Sequence, residues 1–93
     1  MLIQRKQVGE KGIFYVGLDG AIGAELFYHI DSRGNMVIEH TEVGEEFQGK
    51  GIGNKLVKTA VDYARTHQMK IIPLCPYANS LFKGTPEWKD LLA

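Results

Sequence analysis

The sequence predicts an α/β (α+β) fold built on a mixed, mainly antiparallel sheet, and three observations predict it. Residues 2–43 alternate apolar and polar positions between glycine-marked turns, the pattern of consecutive antiparallel strands. From Ile52 onward the apolar residues fall at helical spacing instead. A short β-branched run, Ile71-Ile72-Pro73-Leu74-Cys75, then returns the chain to the sheet. A strand reached across a helix lies parallel to the strand before it.

Taken in order, Leu2 to Val8 supplies a first strand, with Gly9-Glu10-Lys11-Gly12 as its exit turn. Ile13 to Ile30 puts Ile22, Ala24, Leu26, Tyr28 and Ile30 on one face and Glu25 and His29 on the other. Only Asp19-Gly20 interrupts this run, which reads as a hairpin with a tight turn. Asp31-Ser32-Arg33-Gly34-Asn35 is the next turn. It leads into a further antiparallel strand, Met36 to Val43, in which His40 shares a face with Met36 and Ile38. These strands form a meander. The helix follows, with Ile52, Leu56, Val57, Ala60, Val61 and Ala64 as its buried stripe and Lys55, Lys58, Asp62 and Arg65 facing solvent. Pro73 demands an edge or a bulge in the strand from Ile71 to Cys75. The tail from Tyr77 carries Leu81, Phe82, Trp88, Leu91 and Leu92, spaced for one or two short helices separated at Gly84-Thr85-Pro86 and docked on the core.

With 93 residues, 44% hydrophobic and 24% charged, the chain has room for one domain, expected to span residues 1–93. Ordering each residue costs roughly 1–2 kcal/mol of backbone entropy, so nearly all apolar residues are committed to one core and little surface is left for an enclosed active site. Eleven basic and 11 acidic residues cancel, which gives no electrostatic footprint for nucleic acid. No apolar stretch approaches the ~18 residues of a membrane span. The N-terminus lacks the order of a signal peptide, and the expectation is a cytoplasmic protein without a membrane partner. The one cysteine, Cys75, excludes an internal disulfide and a cysteine zinc cage. His29 and His67 have no metal-spaced partners and read as surface residues, so no metal is expected.

Between the strand ending at Val43 and the helix lies Gln48-Gly49-Lys50-Gly51-Ile52-Gly53. Glycines let the backbone approach a ligand, and the unpaired amides and positive dipole end of a helix favour phosphate oxygens. Lys50 would add a point charge. The alternative is that these glycines only make a tight connection. Gly44 to Lys50 has the spacing of a nucleoside-triphosphate P-loop, but Gly51 stands where the magnesium-binding hydroxyl belongs. A dinucleotide turn fails too, because its third glycine comes too soon and the next strand ends Leu74-Cys75 without an acid.

The turn resembles that of the GNAT superfamily of acyl-CoA-dependent N-acetyltransferases, whose pattern of Gln or Arg, two residues, Gly, one residue, then Gly or Ala is matched by Gln48, Gly51 and Gly53. Val43 stands at the family's valine position, and Glu45 replaces a frequent proline. His40-Thr41-Glu42-Val43, Cys75-Pro76-Tyr77 and Pro86-Glu87-Trp88 are similar to a small GNAT-like subfamily, so the resemblance runs from about Ile13 to Leu91. It implies two parallel strands that splay apart to admit pantetheine beside Thr41 and Val43. It further implies that the amides of Gln48, Gly49, Lys50, Gly51, Ile52 and Gly53 hold the pyrophosphate without a metal. Asn79 would hydrogen-bond pantetheine, as an asparagine in its position does in larger relatives. Unlike those relatives, the chain lacks N-terminal helices, which implies an open acceptor surface.

Cys75, His40, Glu42 and Tyr77 are the candidates for chemistry. A cysteine thiolate can carry an acyl group, although Cys75 also reads as a small buried hydrophobe. His40 has the residue type of a general base or a cysteine activator, against the plainer reading of a core histidine. Glu42 would orient His40, act itself, or be an ordinary strand carboxylate. Tyr77 would protonate the leaving thiolate, or be structural. Phe82 and Trp88 are expected to pack the tail. The function expected is transfer of an acetyl group from acetyl-CoA to an amine by a monomer or homodimer. The alternatives are a non-catalytic acyl-CoA-binding or sensor module and a protein-interaction domain.

Overall fold

Turn glycines and strand pairing set the course of the chain. The structure, a computed structural model, describes residues 2–18 and 20–93. β1 (Gln4–Val8) and β2 (Lys11–Leu18) are joined by a shorter turn than the spacing suggests, Gly9-Glu10, with Gly9 at positive φ. β3 (Ala21–Ile30) follows; of the turn before it, Gly20 has a φ of 81° and Asp19 lies outside the described residues. The Asp31 carboxylate accepts the amides of Arg33 and Asn35, each at 2.9 Å, and so closes the turn into β4 (Met36–Val43). α1 (Ile52–Thr66), β5 (Ile71–Pro73) and α2 (Pro76–Gly84) complete the main elements, followed by a 3₁₀ segment, Pro86–Leu91. The five strands lie in the order β1-β2-β3-β4-β5, antiparallel except for the β4/β5 pair, which is parallel. The mixed, mainly antiparallel sheet is therefore the one the sequence predicts.

α1 lies against β2, β3 and β4. Its buried residues are the expected stripe, together with Gly53. Phe14, Val16, Ala24, Leu26, Tyr28, Met36 and Ile38 meet that stripe from the sheet, and Phe82 and Leu91 from the tail join the same core. Arg65 ties the tail to α1 through two nitrogen–oxygen contacts with Asp90, at 2.8 and 3.1 Å. No helix among the described residues is long and apolar enough to cross a membrane.

Two bulges break the alternation that the sequence shows. In β3 the register passes from Val16↔Ala24 to Gly17↔Ile22, leaving Gly23 extra. Ile22 is thereby turned to 52% exposure instead of sharing the buried face of Ala24, Leu26 and Tyr28. In β4 the register passes from Tyr28↔Ile38 to Phe27↔His40, leaving Glu39 extra. His40 therefore does not share the face of Met36 and Ile38; Thr41 and Val43 take that side instead, and His40 and Glu42 project from the other.

Gly23 also makes room for Phe47 of the 3₁₀ turn Glu45–Phe47, because a Cβ on Gly23 would fall 2.0 Å from the phenyl ring. Gly23→Ala is expected to push Phe47 out and cost about 1–3 kcal/mol, the range for overpacking a filled site. Urea unfolding of the two proteins measures it, and equal midpoints would contradict the packing described.

Candidate functional site

The site begins where β5 leaves β4. Ile38 is the last residue of β4 paired with β5, opposite Pro73. The amides of Leu74 and Cys75 both converge on the Ile38 carbonyl, at 3.0 and 3.1 Å. The strand thus ends at Pro73 rather than at Cys75, and Leu74 is 64% exposed. Cys75 is the N-cap of α2, with Pro76 in the first helical position, where a missing N–H costs nothing. Beyond Ile38, β4 runs on to Val43 paired with β3 along one edge and with no strand along the edge that faced β5.

The gap so opened is a cleft of about 350 Å³ lined by Thr41, Val43, Phe47, Gln48, Gly49, Gly51, Ile52, Gly53 and Tyr77. Eight of these nine were marked by sequence; Phe47 was not. The turn that forms the cleft's polar wall uses glycine for two distinct reasons. Gly49 and Gly51 have φ of 79° and 72°, in the left-handed region, and nothing lies within 4 Å of where a side chain would start. Gly53 is helical and buried because the Tyr77 ring packs on it; a Cβ there would lie 2.7 Å from the phenol oxygen. No side chain caps α1 and its first turn holds no acid, so its leading amides and positive dipole end are left to an external anion. The Gln48 side chain donates to the Val43 carbonyl at 3.3 Å and ties the turn to the end of β4.

Tyr77 joins the two helices. Its hydroxyl donates to Asn54 Oδ1, a contact for which the sequence carries no motif. Burial foremost, and then the nearby Cys75, hold the Tyr77 phenol above its ordinary value of 10.0. It therefore keeps its proton throughout the neutral range. Cys75 is buried, with Sγ 3.7 Å from Thr41 Oγ1. Thr41 and Tyr77 line the cleft, whereas Cys75 does not itself line it and is buried against Thr41.

The other nominated residues lie elsewhere. His40 Nε2 and Glu42 Oε1 are 2.8 Å apart, so the expected pairing of these two is present, but their side chains are 57% and 60% exposed on the opposite face of β4 from Thr41. His40 stacks on Phe27 at 6.0 Å and has no contact with Cys75, which removes it as the cysteine's activator. Asn79 borders a separate hollow with Phe82, Lys83 and Lys89, away from the cleft. Lys50 is exposed on the turn and does not line the cleft. Among the described residues there is no group of three or more His, Cys, Asp or Glu that could hold a metal.

A strand, a glycine turn, a helix, a strand that parts from the first, and a second helix thus frame the cleft, and comparison with known proteins gives the chain a family. The model of GCN5-related N-acetyl-transferases matches residues 13–91, and the chain belongs to this family. Protein NATD1 of Xenopus tropicalis is 32% identical over 74 residues, covering 78% of this chain and 68% of the relative. A GCN5-like protein of Staphylococcus aureus, solved by NMR, shares 33% identity with a TM-score of 0.72, over 97% of this chain and 87% of the other. A Bacillus anthracis structure determined in complex with acetyl coenzyme A shares the fold at 20% identity and a TM-score of 0.56, over 69% of this chain and 37% of that one.

The placement of Tyr77 has a measurable consequence. In an ultraviolet pH titration, the difference between wild type and Tyr77→Phe should isolate one phenol that ionises above pH 10.0. A group ionising at or below that pH would contradict the burial described.

Proposed function

We propose that the protein is an acetyl-CoA-dependent N-acetyltransferase acting on an amine, with the cleft beside β4 as its coenzyme site. One observation carries this reading: the parallel strands part at the Ile38 carbonyl next to a glycine turn whose helix N-terminus is uncapped. In this reading the amides between Gln48 and Gly53 receive the pyrophosphate, and the dipole of α1 supplies positive potential. Thr41 and Val43, on the free edge of β4, hold the pantetheine arm.

In the transfer itself, the amine lone pair adds to the thioester carbonyl, a carbon–nitrogen bond forms and the carbon–sulfur bond breaks. The departing thiolate takes a proton from Tyr77, which regains one from solvent, and the nitrogen loses its extra proton to water. Tyr77 suits the acid role because a phenol held above its ordinary value of 10.0 carries its proton at neutral pH. No carboxylate or imidazole lines the cleft, so water rather than His40 or Glu42 takes the proton of the amine on that side. The same absence favours a second reading, a module that binds acyl-CoA without turning it over.

Calorimetric titration with acetyl-CoA, with ATP as control, tests the site. Gly51→Val forces a β-branched residue to a φ of 72° and should weaken acetyl-CoA binding at least ~100-fold, about 2.7 kcal/mol. Undiminished affinity would overturn the assignment of the turn. Amine acetylation by the wild type separates the enzyme from the binding module.

Transfer through Cys75 is a distinct route, in which the sulfur first takes the acetyl group from CoA and then passes it to the amine. Intact-mass measurement after brief incubation with acetyl-CoA distinguishes the two. Direct transfer leaves the mass unchanged during turnover, whereas a cysteine route adds one acetyl that is lost in Cys75→Ala.

A further inference from the structure

Among the described residues the sheet has helices on one face only. The smallest dimension of the molecule, 20 Å, is the depth of one sheet layer and one helix layer, packed about 10 Å apart. The bare face carries Ile13 and Tyr15 from β2 and Phe27 from β3, all half-buried, and Val8 from β1 at 75% exposure. A hollow of about 560 Å³ in its middle is bounded by Val8, Ile13 and Phe27, with Lys6 and Lys11 on one side and Glu39 and His40 on the other.

Charge divides this face. Its β1–β2 side is basic, through Lys6 and Lys11, and its β3–β4 side carries three carboxylates, Glu25, Glu39 and Glu42, the last two paired with the imidazoles of His29 and His40, although the chain as a whole has no net charge. We propose that this face is a self-association surface, on which a second copy of the chain packs about a two-fold axis running along the strands between β2 and β3. That axis lays β1 over the partner's β4 and β2 over the partner's β3. Ile13 and Phe27 are register partners within one sheet, so the operation sets Ile13 against the partner's Phe27. Lys6, the register partner of Ile13, is carried to the level of the partner's His40, beside the partner's Glu39. A two-fold interface must be complementary to itself, and a face that is apolar in the middle, basic on one side and acidic on the other meets that requirement.

The footprint supports a reversible pair. Four strands about 4.8 Å apart and about eight residues long at ~3.4 Å each give roughly 500 Å² per protomer, so about 1,000 Å² in total is covered, the lower limit for a specific interface. A dimer that dissociates on dilution through the micromolar range is expected.

Sedimentation equilibrium of the full chain, with two charge-reversed variants, tests the surface. Lys6→Glu with Lys11→Glu makes both sides acidic; Glu39→Lys with Glu42→Lys makes both basic. The wild type should dimerise, each variant alone should dissociate at least ~10-fold more readily because like charges then face each other, and an equal mixture of the two should recover a heterodimer. A wild type that remains monomeric at about 1 mM overturns the proposal, since that lies well above the dissociation constant of a specific interface. Variants that dimerise as wild type does also overturn it. Should a variant fail to fold, hydroxyl-radical footprinting of the wild type decides. Tyr15 and Phe27 should lose labelling on concentration, and labelling unchanged between dilute and concentrated protein overturns the proposal.

Discussion

The carbonyl of Ile38 is the point on which the rest of the structure turns. A carbonyl oxygen has two lone pairs, and here the amides of Leu74 and Cys75 occupy both. A parallel ladder advances by alternating partners, so two consecutive amides on one oxygen stop it. Pro76 completes the departure, because it brings no amide and its fixed φ suits the first residue of α2. The opening beside β4, the seat of Cys75 next to Thr41 and the packing of Tyr77 on the start of α1 all follow from that early exit. The open edge beyond Ile38 is what distinguishes this parallel pair from a paired one of ordinary length.

Much of this architecture was legible in the sequence, because period and turn chemistry act locally. The stripe from Ile52 to Ala64 is the buried face of α1, and the turn from Asp31 to Asn35 closes as its residues require. The alternation of β3 and β4 misled in both places where a strand carries an extra residue. A bulge leaves composition and spacing unchanged while moving every later side chain to the other face. Ile22 and His40 were misplaced for this single reason. The end of β5 was also unreadable, since Leu74 and Cys75 continue its apolar run and only the pairing shows that they have left it.

The site divides along the same line. Backbone chemistry was legible, because glycines before a helix announce open amides whatever surrounds them. Side-chain partnerships were not. Phe47 belongs to the cleft because Gly23, far off in sequence, leaves space for its ring. Asn54 matters because α2 brings Tyr77 to it. Gly53 was read as a phosphate residue, yet its missing side chain is required by the Tyr77 ring. A phenol packed on one helix start and bonded to it makes two helices position one another.

The extra residue at Glu39 acts as a selector between two versions of the same strand. With it, the wall that β4 offers to the cleft is a hydroxyl and an isopropyl group, from Thr41 and Val43, and the imidazole–carboxylate pair is kept outside. Pairing Glu39 in the regular ladder, instead of leaving it as the bulge, would turn the strand's later residues to the opposite faces and present His40 and Glu42 to the cleft. The chemistry of the cleft is thus set by where the strand carries its unpaired residue as much as by residue identities. Loss or displacement of this bulge is therefore a route by which one small fold could exchange a neutral wall for a titratable one without changing any residue of the glycine turn.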